Sequence, residues 1–274
     1  MGTLVCFHAH PDDESISTGG SMARAKAEGH RVVLVVATDG DHGEVPDDLA
    51  PGETLVDRRK DETARSAEAL GIDRVVWLGY RDSGMTGWDQ NDHEGSFLQA
   101  PTDEAADRLA TVLSEEAADI VVTYDWHGNY GHPDHIKVHQ VGHRAAEIAA
   151  TPTVFEVTMN RDHIGRLMAM ASEFGSPGSD EAFDPDGPAD DGNPFGMPEA
   201  EITHAVDVSG YLEQKRASMR CHRSQITDTS FFLLMPDEAF AIGFGTEWYI
   251  KRKGVGAVAP DAVGSGPSGD WLFE

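Results

Sequence analysis

The stretch Thr3–Ala37, TLVCFHAHPDDESISTGGSMARAKAEGHRVVLVVA, decides how the fold is read. It opens with Thr3–Phe7, rich in β-formers and almost continuously apolar, which predicts a strand. Gly19–Glu28 is Ala-rich with helical spacing, and Gly29 suits a helix stop. Arg31–Ala37 is apolar without interruption, as expected of a strand covered on both faces of a parallel sheet.

The same alternation continues downstream. A helix is predicted over 53–70, ending at Gly71, then a strand at Arg74–Leu78. A helix over 103–118 precedes a strand at Ile120–Tyr124, and a helix at Asp134–Ala149 precedes a strand at Thr153–Thr158. Strands alternating with helices argue for an α/β fold with a doubly wound, mostly parallel sheet, carried by residues 1–160. In such sheets ligands bind at the carboxyl ends of the strands. Residues 161–253 read as a C-terminal α+β extension that completes the same domain. It has a helix over 161–173, a strand near 202–208, a helix near 210–222, a short helix over 236–241 and a strand at Thr246–Lys251. Within it, 175–198 is dense in Gly, Pro, Asp and Ser and reads as a loop or mobile flap. The end of the chain, 254–274, is rich in Gly, Pro, Ala and Ser and reads as a flexible or surface-draped tail.

Composition narrows the classes of function. The chain has 274 residues and a net charge of -27, from 48 acidic and 21 basic side chains. Such a surface repels polyanions, so nucleic-acid binding and anionic membrane surfaces are excluded as partners. No apolar run approaches the roughly 18–20 residues of a membrane span. A strand begins almost at the first residue, so no signal peptide is expected. The two cysteines, Cys6 and Cys221, lie far apart, which suits a reduced, cytoplasmic protein.

Two histidine–carboxylate clusters follow predicted strands. One is His10-Pro11-Asp12-Asp13-Glu14. The other is Tyr130-Gly131-His132-Pro133-Asp134-His135. A catalytic zinc takes three protein ligands and leaves a position for water. His10 and Asp13 at a strand-to-helix junction, with His135 from the second cluster, make such a set, which suits zinc and also iron(II). Asp12 is then the candidate general base. His132 can act as a cation beside an oxyanion or as the acid for a leaving amine, with Asp134 behind it. Tyr130 brings a phenol to the same point. Each cluster alone also has plainer uses, since Asp12 and Asp13 suit a helix start.

With these residues in hand, the chain resembles the LmbE-like, or PIG-L, family of zinc-dependent de-N-acetylases. The marks are an apolar strand followed by Ala9-His10-Pro11-Asp12-Asp13-Glu14, and the later Gly131-His132-Pro133-Asp134-His135. Tyr80-Arg81-Asp82-Ser83-Gly84-Met85 and the tyrosine of Asn129-Tyr130-Gly131-His132 point to the branch with the mycothiol-pathway deacetylase and the mycothiol S-conjugate amidase. The resemblance implies a Rossmann-like fold and removal of an N-acetyl group from a glucosamine-like small molecule. It implies zinc on His10, Asp13 and His135, Asp12 as base, and His132, Asp134 and Tyr130 around the tetrahedral intermediate. Arg59, or its neighbour Arg58, and Asp82 match positions that hold sugar hydroxyls. The family often assembles, so a homo-oligomer stays open. Cleavage of a larger amide, or metal and sugar binding without catalysis, are the competing readings. His8 is expected to pack behind the site, and the basic run Arg220–Ser224 to pair locally with acids.

Overall fold

β1 (Thr3–His8) is buried along its whole length, and so is β2 (Arg31–Thr38) after its first residue. They pair in parallel, with Val5 opposite Val33. Each fully buried Val or Leu contributes about 1.5–3 kcal/mol of transfer free energy, so this pair forms the centre of the core. The structure is a computed structural model that describes residues 1–173, 183–253 and 266–274.

Between these strands lie α1 (Asp13–Ser17) and α2 (Gly19–Ala27). Then come α3 (Leu55–Leu70), β3 (Arg74–Tyr80), α4 (Thr102–Glu115), β4 (Ile120–Tyr124), α5 (Gly128–Gly131), α6 (Pro133–Ala149) and β5 (Thr153–Thr158). The C-terminal part holds α7 (Arg161–Glu173), β6 (His204–Asp207), α8 (Leu212–Cys221), α9 (Phe231–Leu234), α10 (Asp237–Phe244) and β7 (Thr246–Lys253). One seven-stranded sheet runs in the order β3-β2-β1-β4-β5-β7-β6. The first five strands are parallel, whereas β7 and β6 join antiparallel. The expected α/β architecture is therefore present, and the C-terminal strands extend the same sheet.

Local signals explain the helix limits. α3 starts in a capping box between Thr54 and Asp57 and stops at Gly71, whose φ of 74° is left-handed. The N-terminus of α2 is closed by a distant residue. Glu247 of β7 accepts hydrogen bonds from the Gly20 and Ser21 amides at 2.8 and 2.9 Å, and Lys215 of α8 donates to the same carboxylate. A Cβ on Gly20 would lie 2.6 Å from Val208, so only glycine allows this approach.

The topology decides where the site is. Strand order reverses between β1, which continues to β2, and β4, which continues to β5. The crevice past the carboxyl ends of β1 and β4 is the ligand position of a doubly wound sheet. Both histidine clusters leave the sheet there.

Two expectations for irregular segments need revision. Residues 175–182 lie outside the described residues, but 183–198 is tied to the body of the protein. The Asp190 and Gly196 amides donate to the Tyr130 and Asn129 carbonyls at 2.9 and 2.6 Å. Residues 254–265 likewise lie outside the described residues. The end of the chain, however, is packed. Trp271 and Leu272 are buried in the core, and Phe273 stacks on His30 at 3.5 Å. Apolar burial overrides the polar, glycine-rich composition that preceded it.

Candidate active site

His10 follows β1 and enters a tight turn through Pro11. Asp12 then adopts a φ of 128°, a region that non-glycine residues rarely occupy. Such a conformation costs about 1–3 kcal/mol and persists where the surroundings enforce it. Here they do. The Asp12 amide donates to Glu14 Oε2 at 3.1 Å, and its carbonyl accepts from the Ser15 hydroxyl at 2.7 Å. Arg59 Nη2 donates to the Pro11 carbonyl at 2.6 Å and to Asp12 Oδ1 at 3.2 Å.

The second cluster is shaped by α5 and α6. Gly128 has a φ of 68°, and a Cβ there would lie 2.4 Å from the Cβ of His135. Glycine therefore lets the chain after β4 fold against the helix that carries His135. Pro133 starts α6, and His132 caps it by accepting a hydrogen bond from the Asp134 amide on Nδ1 at 3.1 Å.

Three ligand atoms from the two clusters meet. His10 Nδ1, Asp13 Oδ2 and His135 Nε2 form a triangle with edges of 3.4, 3.4 and 3.3 Å. Tetrahedral bonds of about 2.0–2.1 Å put ligand atoms about 3.3–3.4 Å apart, so the triangle fits a zinc-like ion. The outward nitrogens set the tautomers. His135 Nδ1 donates to the Gly128 carbonyl at 3.3 Å, and His10 Nε2 donates to Asp134 Oδ2 at 3.2 Å. Both inward nitrogens then present lone pairs toward each other and toward a carboxylate, an arrangement that a cation resolves.

The charges around the triangle agree. Burial opposes protonation of His10, but Asp82, Asp13 and Asp134 outweigh it and hold its pKa well above the ordinary value. Burial would raise Asp13, yet His135 and His10 hold it well below the carboxylate range. A proton and a metal compete for such a site. Asp12 behaves differently. Burial raises its pKa to about 6, with Arg59 pulling the other way. A carboxyl poised there suits general-base work near neutral pH.

Several expected residues take places other than those expected. The Asp134 carboxylate faces His10 rather than His132. It also accepts from the Ser83 amide at 2.9 Å and from the Ser83 hydroxyl. His132 and Asp134 are two residues apart at the start of α6, and side chains so spaced do not face each other. His132 does not stand as a cation. Its Nδ1 accepts a backbone hydrogen, and burial with His10 and His135 nearby lowers its pKa to about 2. Its Nε2–H is the free donor.

Arg59, not Arg58, reaches the site. Arg58 is held outside by Glu53 and Asp48. Arg59 is buried, and its Nη1 donates to the Gly40 carbonyl at 2.8 Å while Nη2 holds Pro11 and Asp12. Its guanidinium therefore orients the candidate base instead of lying open to a sugar. Asp82 is buried beside His10, with Oδ1 3.6 Å from His10 Nε2 and accepting from the Gly84 amide at 2.8 Å. Tyr130 lies edge-on to His135 at 4.9 Å and stacks with Phe195 at 6.3 Å. Burial and Asp13 raise its pKa, so it is a neutral phenol. His8 sits behind the site as expected, bonded to Tyr124 and Thr18 at 2.8 Å each. The Tyr124 ring stacks on His135.

Sequence reasoning overlooked three supporting residues. Ser83 secures Asp134. Glu14 and His222 pair at 2.6 Å, both fully buried, and Glu14 in turn holds the Asp12 amide. The basic run Arg220–Ser224 thus reaches the site by way of His222. Its position just after a helix on an otherwise acidic chain was the available signal.

Comparison with known proteins places the chain in a family. The family model described as PIG-L: GlcNAc-PI de-N-acetylase matches residues 5–146. The 1D-myo-inositol 2-acetamido-2-deoxy-alpha-D-glucopyranoside deacetylase of Streptomyces griseus is 40% identical over 93% of this chain and 84% of its own length. The protein of the same name from Acidothermus cellulolyticus is 39% identical over 94% and 91%. Among solved structures, the N,N'-diacetylchitobiose deacetylase of Pyrococcus horikoshii shares the fold. Its TM-score is 0.57 at 22% identity, over 92% of this chain and 84% of that one. On the extent of the family match and of these relatives, the chain belongs to the PIG-L family.

Proposed function

We propose that this chain hydrolyses the N-acetyl amide of a glucosamine-like amino sugar, releasing acetate and the free amine. Curated relatives at 34–40% identity carry the name of a deacetylase for an inositol-linked N-acetylglucosamine. An inositol glycoside of this kind is the substrate we assign. The observation that carries the reading is the His10–Asp13–His135 triangle with Asp12, held in a strained backbone conformation, beside it.

Zinc is the ion we assign to the triangle, where it would act as a Lewis acid toward the acetyl carbonyl and lower the pKa of a coordinated water. Asp12, aimed by Arg59, takes a proton from the attacking water. His132 donates its Nε2–H to the developing oxyanion, and the Tyr130 hydroxyl donates to the same oxygen. Asp12 then returns the proton to the nitrogen as the C–N bond breaks. The products are the amine and acetic acid, which passes its proton to the amine to give the ammonium form and acetate. Asp82, beside His10, is the residue we assign to a sugar hydroxyl. Ser83 and Asp134 hold His10 in register. Both cysteines are unpaired and none of the described helices is long and apolar enough to cross a membrane, which supports a cytoplasmic setting.

The test is acetate release by metal-loaded protein from three compounds: N-acetylglucosaminyl-inositol, N-acetylglucosamine and a bulky glucosaminyl-inositol S-conjugate amide. Fastest turnover is expected on the first. Preference for the S-conjugate would move the assignment to a larger amide, and no acetate from any compound would leave a binding protein.

A further inference from the structure

α6 carries histidines at positions 135, 139 and 143, four residues apart and so on one face of the helix. The first belongs to the triangle already described. The other two face the neighbouring strand β5, where Glu156 projects between them. Glu156 Oε1 lies 2.8 Å from His143 Nε2 and 3.5 Å from His139 Nδ1. The two imidazole rings are 4.5 Å apart. His139 Nδ1 also lies 3.1 Å from the Tyr124 carbonyl.

The carboxylate is prepared for a ligand on one side only. Arg252 Nη2 donates to Glu156 Oε2 at 2.6 Å, which balances the buried charge and leaves Oε1 facing the imidazoles. The Glu156 side chain is 1% exposed, whereas those of His139 and His143 are 22% and 27% exposed. The cluster is therefore rigid at its base and open to solvent at its mouth. With Arg252 already paired to the carboxylate, neither imidazole is required as a cation there. The His139 Nδ1–H donates to the Tyr124 carbonyl, and a bound ion would take the place of that hydrogen between Nδ1, the carbonyl and Glu156 Oε1. Burial lowers the pKa of His139, so the ring is neutral and has one lone pair to offer.

We propose that His139, His143 and Glu156 form a second divalent-cation site, separate from the His10–Asp13–His135 triangle. Two nitrogens and one oxygen select a borderline transition ion such as zinc, nickel or copper over magnesium or calcium. The site joins α6 to β5. Because α6 begins with His132 and His135, an ion there ties the helix that presents these residues to the sheet behind it. This inference stands independently of the proposed reaction.

The full-length chain, stripped with a chelator and titrated with Zn2+ alone, tests it. Wild-type protein is expected to retain two equivalents after desalting. A His139→Ala/His143→Ala double variant should retain one and still release acetate. His135→Ala should retain one and release none. Because both altered residues of the double variant are partly exposed, it is expected to fold normally. Retention of a single equivalent by wild type, or of two by the double variant, overturns the proposal.

Discussion

His10 and Asp134 stand 124 positions apart, yet Nε2 of His10 donates to Oδ2 of Asp134 at 3.2 Å. This bond points the other nitrogen of His10 toward Asp13 and His135, the triangle we assign to the metal. A carboxylate behind a ligating histidine fixes its tautomer and raises its basicity, and losing such a partner costs about 10–100-fold in metal affinity or activity. Asp134→Asn is therefore expected to weaken zinc binding by that factor. Competition with a chelator of known affinity measures it, and an unchanged dissociation constant would return Asp134 to the role expected beside His132.

Substitutions at Asp12 and His135 are expected to separate catalysis from metal binding. Asp12→Ala should lose about 10²–10⁴-fold in turnover while retaining its metal, since general-base catalysis contributes that much. His135→Ala should lose the metal of the triangle. Metal analysis beside acetate release reads both. Near-normal turnover in Asp12→Ala would remove it as the base.

The pH profile follows from the environment of Asp12. Its pKa is raised to about 6, and the base must be ionised, so activity is expected to fall as pH drops through that region. Arg59 pulls this pKa down. Arg59→Gln should move the acid limb to higher pH and lower kcat more than it raises KM. A limb that stays in place with KM alone increased would mean that Arg59 contacts the sugar instead.

His132 is neutral in this site, with its donor hydrogen on Nε2. His132→Ala is expected to lower kcat by about 10²–10³-fold, the usual loss for one oxyanion donor, while the metal stays bound. Replacement by Gln, which still donates, should recover part of the loss. If His132 worked as a cationic acid, Gln would recover none.

The buried pair Glu14–His222 holds the turn at Asp12 from below. Removing one partner of a buried ion pair costs about 3–5 kcal/mol, so His222→Ala should lower the melting temperature by on the order of 10 °C. The pair also makes a pH window. Burial opposes its charge, but Glu14 raises the pKa of His222 above 6.5, so its contribution is present below that value and is lost as pH rises through the folded pKa. Burial would raise the Glu14 carboxyl, but His222 outweighs it and lowers its pKa, so its contribution is lost as pH falls through its own folded pKa. Thermal melts across pH should show the alkaline loss in wild type and a smaller one in His222→Gln.

The five strands and the longer helices of the first 160 residues were legible in the linear chain because apolar periodicity and helix stops such as Gly71 are local, whereas the short helices α1 and α5 were not. That His10, Asp13 and His135 come together was legible too, since both clusters follow apolar strands and a doubly wound sheet brings such ends together. What each supporting residue touches was not. Asp134 faces His10, Arg59 holds Asp12, His132 accepts a backbone hydrogen, and His222 reaches Glu14 across 208 positions. These partnerships depend on side-chain direction and on which elements pack side by side, and spacing along the chain encodes neither. The end of the chain shows the same limit, because a Gly-rich composition did not reveal the burial of Trp271. Local sequence determined which elements form and which residues can do chemistry. Long-range packing alone decided their orientation, their protonation and their partners.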